Sequence, residues 1–173
     1  MAVIRRPTPD DAPRLGEVHV SSWQWAYRGH MPDDLLDSLR PTSRGKAWRA
    51  WLTEESSNDF VAWVAEEDGE IVGFAASSRA RDDDVSERCA ELLMIYLLED
   101  YLGRGIGRQL IGAAEEHWRT AGYDMAILWV LETNSATRAF YEREGWVADG
   151  ERRDHPAGSN ETRPVVRYSK LLD

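Results

Sequence analysis

An apolar run from Leu92 to Leu98 meets a glycine-rich turn, Gly103-Arg104-Gly105-Ile106-Gly107, and an amphipathic helical pattern follows at once. Few folds accommodate that order. A glycine turn between strand and helix leaves the first-turn amides of the helix unpaired, pointing at whatever the turn holds. Glycines let that ligand come close to the backbone. The stretch therefore predicts an α/β chain with an anion site at a helix N-terminus. Arg104 and Arg108 add positive charge there, in a chain whose formal charge is −10.

The turn does not name its anion. A dinucleotide fingerprint needs a third glycine where Arg108 stands, which disfavours a nicotinamide oxidoreductase. A P-loop needs Gly-Lys-Ser/Thr where the chain has Gly107-Arg108-Gln109. Composition narrows the rest. The acidic balance argues against a nucleic-acid binder, and no apolar run approaches the ~18 residues of a membrane span. Met1 to Arg6 lacks the apolar region of a secretion signal, and Cys89 is the single cysteine, so a cytoplasmic setting is expected. His19, His30, His117 and His155 lack ligand spacing, and no metal is expected.

Hydrophobic periodicity organises the 173 residues as one domain, 1–173, without repeats or linkers. Ala2 to Arg6 reads as a strand. Thr8-Pro9-Asp10-Asp11 opens a helix, with Thr8 as the cap, that runs to about Tyr27. Pro32 opens a short helix and Thr42 a third, which sets Trp48 and Trp51 on one face. Phe60 to Glu66 and Ile71 to Ser77 form a hairpin around Asp68-Gly69. Arg79 to Arg88 reads as a solvated loop rather than a substrate lid. Ala90 to Leu98 is apolar enough for a strand buried on both faces. Ile106, Leu110, Ala114 and Trp118 mark the buried face of the helix after the turn, which closes near Gly122. Asp124 to Leu131 is a strand, and Asn134 starts a helix ending at Gly145. Trp146 to Ala148 and Val165 to Leu171 are final strands joined by a loop. The expected architecture is α/β: a mixed, mostly antiparallel sheet of about six to seven strands flanked by helices.

Asn134 and Tyr141 stand seven residues apart, two helical turns, and so share a face. Asn134 reads as a cap, a ligand contact, or both. Tyr141 reads as a core aromatic or a proton donor.

Two segments together, Ala90 to Leu110 and Val130 to Gly150, resemble the acetyl-CoA-binding core of the GNAT superfamily of N-acetyltransferases. Gly103-Arg104-Gly105-Ile106-Gly107 is similar to its pyrophosphate loop. Leu131-Glu132-Thr133-Asn134 and Phe140-Tyr141-Glu142-Arg143-Glu144-Gly145-Trp146 are similar to its second segment. Ser21 to Gly29 resembles the N-terminal region of many bacterial members. Leu102 departs from the pattern, because the family commonly has Arg or Gln there. Backbone amides do most of the phosphate binding in such a loop, so Leu102 is expected to weaken or reshape it without costing the fold.

The resemblance implies acetyl transfer from acetyl-CoA, as co-substrate, to an amine of a small molecule or peptide. It implies that the loop from Gly103 through Gly105, Ile106 and Gly107 meets the pyrophosphate, that Arg104 and Arg108 help neutralise it or lie on the surface, and that Asn134 also binds the cofactor. A backbone N–H at Ile95, Tyr96 or Leu97, freed by a bulge, would hold the thioester carbonyl. Tyr141 would protonate the departing thiolate, since a phenol and a thiol are similar in basicity. Glu91, fourteen residues before Gly105, is the candidate base, or else a paired strand carboxylate with a water relay serving instead. Trp23, Trp25 and Tyr27 would wall the acceptor pocket or enter the core. A homodimer is compatible with the sheet edges this topology leaves. A non-catalytic acyl-CoA-binding or regulatory module of the same fold is the alternative reading.

Overall fold

The computed structural model describes residues 1–53, 60–158 and 160–172. They form strands β1 (Val3–Arg5), β2 (Val61–Glu67), β3 (Glu70–Arg79), β4 (Cys89–Leu97), β5 (Met125–Leu131), β6 (Val147–Pro156) and β7 (Thr162–Leu171). The helices are α1 (Ala12–Ala26), α2 (Asp33–Ser38), α3 (Pro41–Thr53), α4 (Ile106–Thr120) and α5 (Ser135–Arg143). The strands make one seven-stranded sheet in the order β1-β2-β3-β4-β5-β7-β6. Only β4 and β5 pair in parallel, so the sheet is mixed and mostly antiparallel, as expected.

Each face of the sheet carries its own core. Ile106, Leu110, Ile111, Ala114 and Trp118 of α4 pack with Tyr141 of α5 against one face. Ala12, Leu15, Val18 and Trp48, from α1 and α3, pack on Phe74, Val64 and Ala76 of the other. α1 and α3 meet backbone to backbone. A Cβ added at Gly16 would lie 2.3 Å from the Pro41 carbonyl oxygen and 2.6 Å from the Gly45 nitrogen, so no side chain fits there. The Asp68-Gly69 hairpin has both residues at positive φ, 53° and 80°, as a two-residue turn of this hand requires.

Four expectations need correction. First, Thr8 stands at the cap of one 3₁₀ turn that precedes α1, and Asp11 stands at the cap of α1 itself. The Asp11 carboxylate accepts from the Thr8 backbone N–H at 2.7 Å, across that turn, Pro9–Asp11. Second, β4 is fully buried only at its start, and Leu93 is 40% exposed. Third, the solvated loop is pinned: Asp82 and Asp84 bind Arg167 of β7, at 3.0 and 2.7 Å. Fourth, half of the loop foreseen between the last strands is β6, which pairs with β7 as far as Pro156 opposite Thr162. β6 is exposed along its whole length and rich in charge, so no apolar alternation announces it.

Candidate active site

The sheet forks where β4 leaves β5. The two strands pair only from Cys89 opposite Met125 to Leu92 opposite Leu128, while β5 continues to Leu131 on its β7 side. Leu93 is the point of departure. Ala76 faces Met94 and Ser77 faces Leu92, so Leu93 is an extra residue bulged from β4. The bulge was expected at Ile95 to Leu97 and lies before them. It also shifts the side-chain parity: Ala90 and Leu92 before it, and Ile95 and Leu97 after it, all join the α4-side core.

The bulge decides which backbone groups are free. Leu98 N–H donates to the Val72 carbonyl at 2.9 Å, which makes that pair a hydrogen-bonded one. Such pairs alternate along an antiparallel ladder. Tyr96 opposite Phe74 is therefore also hydrogen-bonded to β3, while Ile95 and Leu97 turn their N–H and C=O groups into the fork. Of the three backbone candidates, Ile95 and Leu97 face the gap. The Tyr96 amide does not.

Below the fork lies the glycine turn. Gly103 and Gly105 hold φ of 73° and 79°, a backbone only glycine adopts cheaply. Gln109 N–H is the first to find a helical carbonyl, that of Gly105, so the amides of Ile106, Gly107 and Arg108 remain free of helix bonds. Gly107 lets α4 and α5 approach, since a Cβ there would sit 3.1 Å from Phe140 Cζ. Leu102 leaves the turn undistorted: its N–H bonds the Glu99 carbonyl at 3.1 Å and its side chain is exposed. The two arginines are engaged elsewhere. Arg104 lies 3.6 Å from Glu67 and over the Tyr101 ring, and Arg108 lies 3.5 Å from Glu144. The free amides are thus the main anion donors, and they fit a pyrophosphate.

Asn134 is buried and caps α5, its Oδ1 accepting from Thr137 N–H at 3.2 Å. The cap uses the oxygen and leaves the amide Nδ2 to donate to a ligand. Two turns on, Tyr141 stands in the α4-side core against Phe140, Trp146 and Tyr168.

Tyr27 and Tyr96 stand on the opposite side of the sheet, their hydroxyls 2.7 Å apart. Charge on Tyr27 nevertheless acts on Tyr141, and charge on Tyr141 acts on Tyr96. Burial raises all three pKa values above the ordinary phenol range, with neighbouring phenols raising Tyr96 and Tyr141 further. All three are therefore neutral hydroxyls at physiological pH. The expected near-match between Tyr141 and a thiol is wider than sequence reasoning allowed, because it left out burial.

The Tyr27–Tyr96 pair is what that reasoning missed. It placed Tyr27 on a pocket wall and valued Tyr96 only for its backbone. One signal was legible: Tyr96 is the lone polar side chain in the aliphatic run from Leu92 to Leu98. Behind the pair sits His19, 2% exposed, its ring stacked on Tyr96 at 5.7 Å. Trp48 Nε1–H donates to His19 Nδ1 at 3.2 Å, which places the histidine proton on Nε2. Burial first, then the charge of Arg44, lowers the His19 pKa to about 3, so it is a neutral wall and no base. His19 Nε2 and Trp23 Nε1 are buried without a hydrogen-bond partner. Idle buried donors cost about 1–3 kcal/mol each. The Trp23 N–H lies near enough to the Tyr96 hydroxyl to favour its charged form, without a well-formed bond. Trp23 and Tyr27 pack edge to face at 5.0 Å, whereas Trp25 points outward, 47% exposed.

Glu91 is not brought to the phenols. It pairs with Ile127, where β4 and β5 are still closed. Tyr96 lies five residues on, roughly 16 Å of extended chain. Burial first, then Asp82, raises the Glu91 pKa, while Arg153 and Arg81 oppose them. Among the described residues no group of His, Cys, Asp and Glu is arranged to hold a metal. No helix there is long and apolar enough to cross a membrane.

Comparison with known proteins agrees with this geometry. The sequence profile of the Acetyltransferase (GNAT) family matches residues 18–146. The chain is 30% identical to the uncharacterized N-acetyltransferase YuaI of Bacillus subtilis over 142 residues, 82% of this chain and 78% of that one. It is 28% identical to a spermidine N(1)-acetyltransferase of Thermoplasma acidophilum over 148 residues, 84% and 88% of the two chains. In fold it resembles the PaiA N-acetyltransferase of Thermoplasma acidophilum, solved in complex with coenzyme A. The TM-score is 0.77 at 23% identity, covering 96% of this chain and 98% of that one. With the profile spanning most of its length, the chain belongs to the GNAT family of acetyltransferases, as an N-acetyltransferase that depends on acetyl-CoA.

Proposed function

We propose that this chain transfers the acetyl group of acetyl-CoA to a primary amine of a small molecule or peptide. One observation carries the reading. A forked sheet offers free Ile95 and Leu97 backbone groups above a glycine cradle, with Asn134 and Tyr141 on the helix that follows β5. Acetyl-CoA supplies the thioester, the pantetheine arm that adds to the β4 edge as a pseudo-strand, and the pyrophosphate anion. The amides from Gly103 to Arg108 bind that pyrophosphate, with Asn134 Nδ2 beside it. Ile95 or Leu97 N–H donates to the carbonyl oxygen as charge develops there. Tyr141 gives its proton to the departing sulfur, and the Tyr27–Tyr96 pair holds the entering nitrogen.

The amine must lose a proton, because free amines titrate near ~8 to ~10. Glu91 serves as base through a water relay, since its distance excludes direct contact and burial, then Asp82, raises its pKa and makes it a better proton acceptor. Glu91→Gln is expected to lower kcat/KM roughly tenfold at pH 7 and to remove the acidic limb of its pH profile. An unchanged profile would assign deprotonation to solvent. A reducing cytoplasm suits Cys89, which is buried and whose thiol pKa burial pushes up to about 12.

Thiol release from acetyl-CoA across an amine panel tests the whole reading. Turnover with at least one primary amine supports it. Saturable acetyl-CoA binding with no turnover on any amine would make the chain a non-catalytic acyl-CoA-binding module.

A further inference from the structure

We propose that the acceptor amine carries a carboxylate, held by Arg44 on the α1–α3 wall, across Trp23 from Tyr27 and Tyr96. This rests on the transferase reading and narrows its acceptor to amino carboxylates, free or at a peptide end.

Charge sets Arg44 apart. On this side of the sheet the acids are largely neutralised. Asp33 and Asp37 pair with Arg28, Glu132 with Arg152, and Asp82 and Asp84 with Arg167. Glu91 is half-buried, within the field of Arg153 and Arg81, and well down the strand from Tyr96. Arg44 differs. It has no carboxylate partner among the described residues, and its guanidinium lies 5.5 Å from the Trp23 ring centroid. Its field reaches His19, whose charged form it disfavours.

Hydrogen bonding points the same way. Next to Arg44 stand the two buried donors without partners, Trp23 Nε1 and His19 Nε2. Trp23 contacts Tyr27 and Tyr96 directly, with ring centroids at 5.0 and 6.1 Å. The wall next to the phenols is thus rich in donors, with a cation at its head. What completes it is an anion with several lone pairs, and a carboxylate matches the planar fork of a guanidinium. A polyamine needs the reverse, carboxylates or an open aromatic face. The Trp23 face is already taken by Arg44.

The test compares kcat/KM, with acetyl-CoA, for amino acids and ω-amino acids of increasing length, the amides of the same compounds, and spermidine. Carboxylates are expected to exceed their amides at least tenfold. Arg44→Gln should abolish that preference, chiefly through KM, while rates with amides stay within about twofold. Arg44→Lys should restore part of it. Equal rates on carboxylates and amides, faster spermidine, or a preference that survives in Arg44→Gln would each overturn the proposal and leave the transferase reading standing. No turnover on any amine, with acetyl-CoA still bound, would overturn both.

Discussion

Tyr141→Phe is expected to lower kcat roughly a hundredfold while leaving acetyl-CoA affinity unchanged. Phenylalanine keeps the ring, and the ring makes the contacts with Phe140, Trp146 and Tyr168. Only the hydroxyl is lost. Ground-state binding rests on amides at the α4 N-terminus and on the β4 edge, which the substitution does not touch. A fall in kcat with constant dissociation constant would mark an interaction made in the transition state alone. Unchanged kcat would remove Tyr141 from the chemistry.

The pH dependence separates acid from spectator. Burial, and then charge on Tyr27, raise the Tyr141 pKa above that of a free phenol. A proton donor must be protonated to act, so a raised pKa keeps it competent throughout the physiological range. Wild-type kcat is therefore expected to show no falling basic limb from Tyr141 below pH ~10. The raised pKa also makes full transfer to sulfur uphill in the resting protein. Tyr141 then acts as a hydrogen-bond donor that completes transfer only as the C–S bond breaks. A variant with the phenol pKa lowered by ring fluorination should bring a basic limb into view.

The α/β class, the sheet's mixed character and the glycine turn before α4 were legible because each depends on local pattern. Period-two and period-3.6 alternation mark the strands and helices, and glycines mark φ values other residues avoid. Tyr141 and Asn134 were legible through spacing on one helix. What escaped depends on contacts between distant segments. Tyr27 and Tyr96 are 69 residues apart and meet only because α1 lies across β4. β6 hides because a polar exposed strand has no hydrophobic alternation, and only its pairing with β7 reveals it. The bulge at Leu93 is a register event between β3 and β4, and no residue type announces it. Glu91 was placed by sequence separation, which ignores that the strands remain closed at its position.

Arg167 was equally invisible, a charge inside a strand whose neighbours are apolar, and its loss is expected to be the largest single blow to stability. Its side chain is 6% exposed. It donates to Asp149 at 2.7 Å, to Asp82 at 3.0 Å and to Asp84 at 2.7 Å, and lies 5.6 Å from the Trp129 ring. Asp82 also accepts from Trp129 Nε1 at 3.1 Å. One guanidinium therefore ties the 79–88 segment, β5, β7 and the start of β6 together. Arg167→Met keeps much of the volume but leaves the Asp149 carboxylate, its side chain 22% exposed, without its guanidinium, and leaves the 13%-exposed Asp82 with only Arg153 at 3.4 Å. Removing one partner of a buried ion pair costs about 3–5 kcal/mol, and the exposed Asp84 places this case near about 3. Urea unfolding should report it as a lower midpoint with an unchanged slope. The loss must also depend on pH. Hydrogen bonds from Arg167 hold the Asp84 pKa below its ordinary value, so this stabilisation is present above about pH 4 and fades as pH falls through the depressed value. The gap between wild type and Arg167→Met should therefore be widest near neutrality and narrow on acidification. A gap that stays constant into acid would mean that packing against Trp129, rather than charge, is what Arg167 contributes.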